Sequence, residues 1–538
     1  MVTLPKKIKD LFYNPNTDSI SLLLKEIHDS HAEILRNTDL LKSTLSSKLE
    51  SDEVAIQSYR IPVEGLPQDS FPQLISGLFR GVSRWHSPHT MYNVAPPPIL
   101  PAVTTKAMTA LYNPNLCLDT ASGKSLITEQ KVIKSIAEYI GWNWQTAGGT
   151  FTWGGKATIM YGIKVGLKNC SPKSPSQGVK EDVIVISTSS GHPAHTSDTD
   201  WLGIGTDNII RLKTDKDTRV DLNEMERVIE EKTKQGKKIA AIIISGGTTN
   251  NMAVDPIEKV VALRNRLVKR LGLNYVPHVH VDAVVSFPWI FFKDYDFKLN
   301  NLDIDKVALD RISKIIKDLK GLYLADSFGI DFHKMGFCPY ISSVFMVKEK
   351  TALYGNSDVS KWPFMYSIEN TRPADGPNSA YMVLSVLGVT GFQQLIAHLT
   401  EIAVHLENKI GETGYFEVIN KSCLGTSVMF VPLLPKKLRN FTPKEEANVH
   451  DAYTSKFIKK ISDLGNTYYI DQIPNNATGA SPYPLTSLKA YIMSPYSSIE
   501  SNLKFVSFLV TLKNEIDLEF DFSDRNIKPD MEIPHPLK

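Results

Sequence analysis

The spacing of apolar residues changes character along the chain. Over 18–56 it is helical (Leu22, Leu23, Leu24, Ile27, then Ile34, Leu35, Leu40, Leu41) among mixed charges, which predicts a helical N-terminal segment. From 60 to 101 the pattern becomes irregular and rich in Pro, His and aromatics, closing on Pro96-Pro97-Pro98, which reads as an extended loop packed on a larger body. From about Gly123 two periodicities alternate. Helices at 129–139 and 157–167 flank a glycine-rich segment, and a strand at 183–186 leads to a loop holding His192 and His195. Asp221 with Glu224 forms a capping box for a helix reaching Lys234 and stopped by Gly236. The β-branched run 239–244 predicts a buried strand. Asp255-Pro256 reads as an N-cap with Pro at the first helical position, opening a helix that ends near Gly272. Further strands are expected at 279–285, 322–325 and 344–347. Short buried strands between capped helices predict an α/β domain with a mainly parallel sheet. After about Ser379 the pattern turns helical over 382–399 and on to 410, followed by a mixed α+β lobe with strands near 428–431 and 488–493.

Composition narrows the class. At 538 residues the chain needs two or three lobes. A hydrophobic content of 42% and a charged content of 22% belong to an ordinary soluble globular protein. Sixty Lys+Arg against 58 Asp+Glu leave a net charge of +2, so no electrostatic case for nucleic acid exists. The basic stretches Lys6, Lys7, Lys9 and Lys436, Lys437, Arg439 read as solvated surface. Cys117, Cys170, Cys338 and Cys423 are widely separated with no CxxC spacing, which fits a reducing compartment better than a disulfide framework or a thiolate metal site. The first residues carry lysines with no apolar core after them, unlike a signal peptide. The apolar runs at 239–244 and 289–292 are too short to span a bilayer. A cytoplasmic protein without membrane contact is expected.

Several segments carry candidate chemistry. The run Gly148-Gly149-Thr150-Phe151-Thr152-Trp153-Gly154-Gly155-Lys156 precedes an apolar-periodic helix, where backbone N–H groups and the helix dipole favour an anion. A plain helix-entry loop has the same composition. His192 and His195 follow a strand; either is a hydrogen-bonded loop residue or a ring lying flat on a planar cofactor. They and the pair His278, His280 lack a third ligand, so no metal is expected. Gly247-Thr248-Thr249, Asp282 and the segment Phe332-His333-Lys334-Met335 each follow an apolar stretch read as a strand, the position where open α/β sheets bind ligands. A lysine that forms a Schiff base must be held rigidly and partly desolvated, so that its amine is not permanently charged. A carboxylate across the cofactor keeps a pyridine nitrogen protonated.

From about Trp85 to Gln393, and more loosely to Ser507, the chain resembles the group II pyridoxal-phosphate-dependent amino-acid decarboxylases, and more distantly sphingosine-phosphate lyase. Phe151-Thr152-Trp153-Gly154-Gly155 looks like the family's phosphate loop. His192, ten residues before Leu202-Gly203, sits where the ring-stacking histidine belongs, with His195 as the alternative. Gly247-Thr248-Thr249 through Asp255-Pro256-Ile257, His280-Val281-Asp282-Ala283, and Asp326-Ser327 through His333-Lys334 resemble three further family motifs. Thr371-Arg372, then Leu387-Gly388 and Gly391-Phe392, resemble the entry to the family's small domain.

The resemblance implies fold type I, the aspartate-aminotransferase-like α/β fold, with a mainly parallel large-domain sheet and a smaller α+β C-terminal domain. The expected boundaries are 1–110 for an N-terminal segment, 111–375 for the cofactor domain and 376–538 for the small domain. It implies Lys334, His192 and Asp282 as catalytic residues. Gly154, Gly155, Lys156, Thr248, Ala283, Ser327 and His333 join them around pyridoxal 5'-phosphate. Trp85, His89, Tyr92 and Arg372 become substrate candidates. A homodimer with shared active sites is implied, as is decarboxylation of an L-amino acid to its amine. An aldehyde-releasing carbon–carbon lyase and a non-catalytic homologue are the alternatives. Three departures stand out: Phe332 replaces a proline, Val284-Val285-Ser286 follow the Asp-Ala pair, and Lys156 occupies a position usually small or hydroxylated. About 38 residues separate Lys334 from Arg372, shorter than the animal decarboxylases' segment, with Tyr340, Tyr354 and Tyr366 as candidate proton donors.

Overall fold

The computed structural model describes residues 5–9, 11–14, 19–36, 38–40, 42–45, 56–355, 362–435, 441–465, 467–476, 483–524 and 527. Leu41, Lys436, Lys437 and Arg439 lie outside the described residues. Strand β1 (Thr90–Met91) belongs to the N-terminal segment. Seven strands then make the larger sheet: β2 (Gly148–Thr152), β3 (Val183–Thr188), β4 (Ile209–Leu212), β5 (Lys238–Ser245), β6 (His278–Asp282), β7 (Ser327–Asp331) and β8 (Ser343–Val347). Their order is β2-β8-β7-β6-β5-β3-β4. Pairing is parallel from β7 through β6, β5 and β3 to β4, and β8 runs antiparallel to both β7 and β2. The C-terminal ends of β2, β3, β5, β6 and β7 therefore share one edge.

The aliphatic runs of β3 and β5 are buried along almost their whole length, as parallel strands covered on both faces require. One cover is the helix Gly155–Cys170, eleven of whose residues are buried. It approaches the strands closely because a Cβ on Gly166 would collide with the Ala240 carbonyl oxygen. Asp221 caps the helix Leu222–Lys234, accepting from the N–H groups of Asn223 at 2.8 Å and Glu224 at 3.1 Å.

Five local expectations differ. The segment expected as a strand at 322–325 is a 3₁₀ turn, Lys320–Leu324, because Leu319, Leu322 and Ala325 reach the core from the end of a helix. The strand starts at Ser327, whose polar character hid it. Asp255 does not cap the helix Ile257–Arg270; its buried carboxylate accepts from the N–H groups of Ser245 and Val220, each at 2.7 Å. Strand β6 stops at Asp282, and residues 283–285 turn into a buried 3₁₀ segment, Phe287–Phe292. Within 60–101 a helix, Phe71–Leu78, interrupts the extended chain, and 42–45 are not helical.

The smaller sheet has the order β1-β11-β12-β10-β9, using β9 (Phe416–Val418), β10 (Ser427–Pro432), β11 (Tyr469–Asn476) and β12 (Leu485–Tyr491). Through β1, parallel to β11, the N-terminal segment joins this sheet. The helix Asp375–Glu412 crosses between the two sheets' regions and is interrupted at Gly388, where φ is +57°. By length and composition it alone among the described helices could cross a membrane, which the short apolar runs did not suggest. Phe392, Ile396, Leu399, Leu406 and Ile410 of this helix are nevertheless part of the protein core.

Arg372 is no substrate ligand here, contrary to the sequence reading. It is 3% exposed, and its guanidinium meets both oxygens of Glu129 at 2.7 and 3.0 Å. It also donates to Thr150 Oγ1 and the Phe151 and Leu116 carbonyls, so little donor capacity remains. Glu129 in turn accepts from the Phe151 N–H at 2.8 Å, which ties the β2 end to two distant segments. Removing one partner leaves the other charge buried and unpaired. Arg372→Ala should therefore lower stability by about 3–5 kcal/mol in denaturant titration; a substrate-binding arginine would instead raise KM with stability unchanged.

Candidate active site

Lys334 stands just beyond the end of β7, at the shared sheet edge. Its Nζ lies 2.9 Å from Asp331 Oδ2, with the lysine side chain 21% and the aspartate 2% exposed. Burial pushes the ammonium's pKa down, but the carboxylates of Asp331 and Asp282 outweigh it, and the net shift is upward. The sequence had suggested a lysine eased toward neutrality; Asp331 does the opposite. Asp331 itself accepts from Ser343 Oγ at 2.6 Å, and His333 Nε2 lies 3.6 Å from it. The His333 ring packs on Tyr340 at 4.5 Å between centroids. Asp331 was missed in the sequence, although its place three residues before Lys334 was a usable signal.

Asp282 ends β6, paired in register with Ser245 of β5 and Gly329 of β7. Its Oδ2 accepts from His195 Nε2 at 3.1 Å, and His195 Nδ1 meets Ser187 Oγ at 2.6 Å. Burial pushes the carboxyl up, yet the His195 bond and the nearby charges of His195, Lys334 and His192 hold it well below the usual carboxylate range. His195 has no exposed surface and is spent on this chain of contacts. His192 is exposed and accepts from the Ala194 N–H at 3.1 Å. Partial desolvation by the atoms around its ring still lowers its pKa, with Asp282 opposing and Lys334 adding, so its ring lies in the same field as both. Thr248 caps its own turn by accepting from the Ala253 N–H at 3.1 Å.

Gly154 and Gly155 open the helix Gly155–Cys170, with Gly154 at φ +151°. A Cβ on Gly155 would lie 2.7 Å from Asp331 Oδ2, so the glycine lets the helix start face the Lys334 group. Lys156 Nζ sits 3.6 Å from Asp198 Oδ1 and 5.6 Å from the Trp201 ring centroid.

Other sequence candidates are placed elsewhere. Ser327 begins β7 at its far end, fully buried, with its Oγ shared by His278 Nε2 at 2.6 Å and His280 Nδ1 at 2.8 Å. It is therefore a sheet-interior hydrogen-bonding residue and not a phosphate ligand. Ala283 has no exposed surface; it packs against Gly246, where a Cβ would lie 2.8 Å away. The loop after Trp85 rests on β11 and its approach: His89 packs on Tyr468 at 4.7 Å and Tyr92 stacks on Tyr469 at 4.5 Å. Tyr354 donates to the Gly149 carbonyl at 2.8 Å and Tyr366 packs on Tyr354, both away from the edge. Tyr340, beside His333, shares the field of Lys334 and Asp331. Among the described residues no cluster of metal ligands occurs.

The donor set fits pyridoxal phosphate. Lys334 could supply an amine for an aldehyde, Asp282 an ionised carboxylate for a pyridine nitrogen, and the start of Gly155–Cys170 with Lys156 an anion seat. Residues 66–286 match the model of the pyridoxal-dependent decarboxylase conserved domain. The chain is 30% identical to the L-tyrosine decarboxylase of Enterococcus faecalis over 238 residues, 40% of this chain and 38% of that one. It is 25% identical to a glutamate decarboxylase-like protein of Gibberella zeae over 54% of this chain and 51% of that protein. The chain thus spans between a third and about half of the length of these two relatives. Among solved structures, Oryza sativa TDC with PLP and tryptamine superposes with a TM-score of 0.76 at 16% identity, covering 94% of this chain and 99% of that one. Mouse CSAD superposes with a TM-score of 0.76 at 16% identity, covering 93% and 99%. The likeness in fold runs nearly end to end, and residues 66–286, which reach from before the phosphate loop to just past Asp282, are similar in sequence to the pyridoxal-dependent decarboxylase domain.

Proposed function

We propose that this protein is a pyridoxal-phosphate-dependent decarboxylase of an L-amino acid. The observation that carries the reading is Lys334, paired with Asp331 at the end of β7, beside Asp282 held ionised by His195 at the end of β6. When bound, the cofactor supplies an electron sink that takes up the charge left by a departing carboxylate. The chain's own residues do the rest. Asp282 would hold a proton on the ring nitrogen, and His195 fixes the carboxylate's orientation from behind. The His192 ring, in the field of Asp282 and Lys334, would cover one face of the cofactor. Lys334 Nζ would be the amine that holds the cofactor's aldehyde. Asp331 holds the Lys334 ammonium and has Ser343 and His333 as further partners. Tyr340 Oη is the candidate donor of the product proton, since of the three candidate tyrosines it alone shares the field of Lys334.

The subunit is proposed to work as a homodimer. The helix Leu100–Tyr112 exposes Leu100 at 79% and Tyr112 at 69%, and Val386 on the neighbouring long helix is 52% exposed. Exposed large apolar side chains on two neighbouring helices suit a second copy of the chain. Light scattering should report a dimer, and Leu100→Glu with Tyr112→Glu should shift it toward monomer.

The relatives' names span tyrosine, aspartate, acidic amino acids and 2,4-diaminobutyrate. A visible absorbance titration of the cofactor-loaded protein with each should shift the bound-cofactor band for one class. Carbon dioxide release should accompany that shift. Lys334→Ala should abolish both band and release; an unchanged spectrum would sink the assignment. A band moved only by phosphorylated amino alcohols would replace decarboxylation with aldehyde release.

The raised pKa of Lys334 carries a pH consequence. The amine must lose its proton before it attacks the aldehyde, so cofactor loading should accelerate as pH rises. Asp331→Asn removes the largest stabiliser of the charge and should move that rise to lower pH in stopped-flow absorbance; an unshifted profile would remove Asp331 from this role.

A further inference from the structure

Asp198 is unlike the other carboxylates near the site. It has no exposed surface, and neither of its oxygens has a hydrogen-bond partner. It lies on the helix Ala194–Trp201, which directly follows His192. Facing it are Lys156 from the start of Gly155–Cys170, at 3.6 Å, and at longer range Asp282 from β6, itself grouped with Lys334, His192 and His195. Lys156 is the solvent-accessible partner: its side chain is 38% exposed, and it is the second residue of the helix whose start could seat an anion. Burial pushes the Asp198 carboxyl up to about 7, with Lys156 pulling back and Asp282 pushing further.

We propose that Lys156 and Asp198 form a proton-coupled latch for the cofactor phosphate, in which Lys156 Nζ leaves Asp198 for the phosphate and Asp198 takes up one proton from solvent. The inference rests on the pyridoxal phosphate reading above. A dianion brought beside two buried carboxylates needs a cation that its neighbours have not claimed. Lys334 is engaged with Asp331 and then with the aldehyde, which leaves Lys156. A carboxylate deprived of its ion pair in a dry site becomes neutral at low cost by binding a proton. The sign follows from linkage. Below the free-state pKa Asp198 is already protonated and binding takes up nothing. Above it, each bound cofactor must bring one proton, so affinity falls with rising pH by up to about tenfold per pH unit.

The test is equilibrium titration of the full-length cofactor-free protein with pyridoxal phosphate and with pyridoxal, from about pH 6 to about pH 9. Calorimetry in two buffers of different ionisation enthalpy then counts protons. Wild type should take up about one proton more with pyridoxal phosphate than Asp198→Asn does, and the variant's affinity should fall less steeply with pH. Lys156→Gln should weaken pyridoxal phosphate by about tenfold or more while leaving pyridoxal unchanged, a result that stands even where Asp198→Asn folds poorly. Equal proton counts in wild type and Asp198→Asn, or equal weakening of both ligands by Lys156→Gln, would overturn the latch while leaving the cofactor reading intact. Binding of neither ligand at any pH would overturn both.

Discussion

Everything at the active edge depends on one constraint: a carboxylate taken out of water must find a partner or give up its charge. Asp331 and Asp282 end neighbouring parallel strands and are nearly inaccessible to solvent. Each is satisfied differently. Asp331 takes a lysine and a serine hydroxyl, whereas Asp282 takes an imidazole that leans on a second serine. Those partnerships set the positions of Lys334 and His195, the protonation of the lysine, and the charge available to a cofactor nitrogen. Asp198, which has only a distant lysine, shows the other outcome in its raised pKa.

The sheet makes such a grouping possible. Parallel strands send successive chain segments out at one edge, so residues up to about 140 positions apart, from His192 to Lys334, converge without any local signal between them. The cover helix Gly155–Cys170 closes that edge, because glycines where it meets the strands and Asp331 allow backbone-close approach. Away from the edge the same sheet buries polar residues for its own cohesion. Ser327 joins His278 and His280 across neighbouring strands, a hydrogen-bonded interior that carries no chemistry in the reading proposed here.

The contrast between Ser327 and Asp331 shows how far motif reading goes. Both lie in the segment that resembles the family's lysine motif, four residues apart on one strand, at opposite ends of it. A strand rises about 3.3 Å per residue, so four residues place them some 13 Å apart. Arg372 gives a second case. A lone arginine in a sequence reads as a candidate for acidic ligands, and only Glu129, 243 positions away, shows that its guanidinium is already occupied. Asp255, read as a local cap, likewise serves two remote backbone N–H groups.

By itself the sequence determined the alternation of buried strands and capped helices, and hence the α/β class, because periodicity and capping are local properties of neighbouring residues. It also determined the ordered motifs around Lys334 and Asp282, since their residue types and spacing are legible in one dimension. The tertiary structure alone decided which polar side chains face the edge and which face the sheet interior. It alone joined strand β1 to the distant C-terminal sheet and separated Tyr340 from Tyr354 and Tyr366. It also revealed Asp331 and Asp198 as the charges that set the site's protonation. Those outcomes depend on burial and on partners far away in the chain, and a charge's cost is fixed by its surroundings in space.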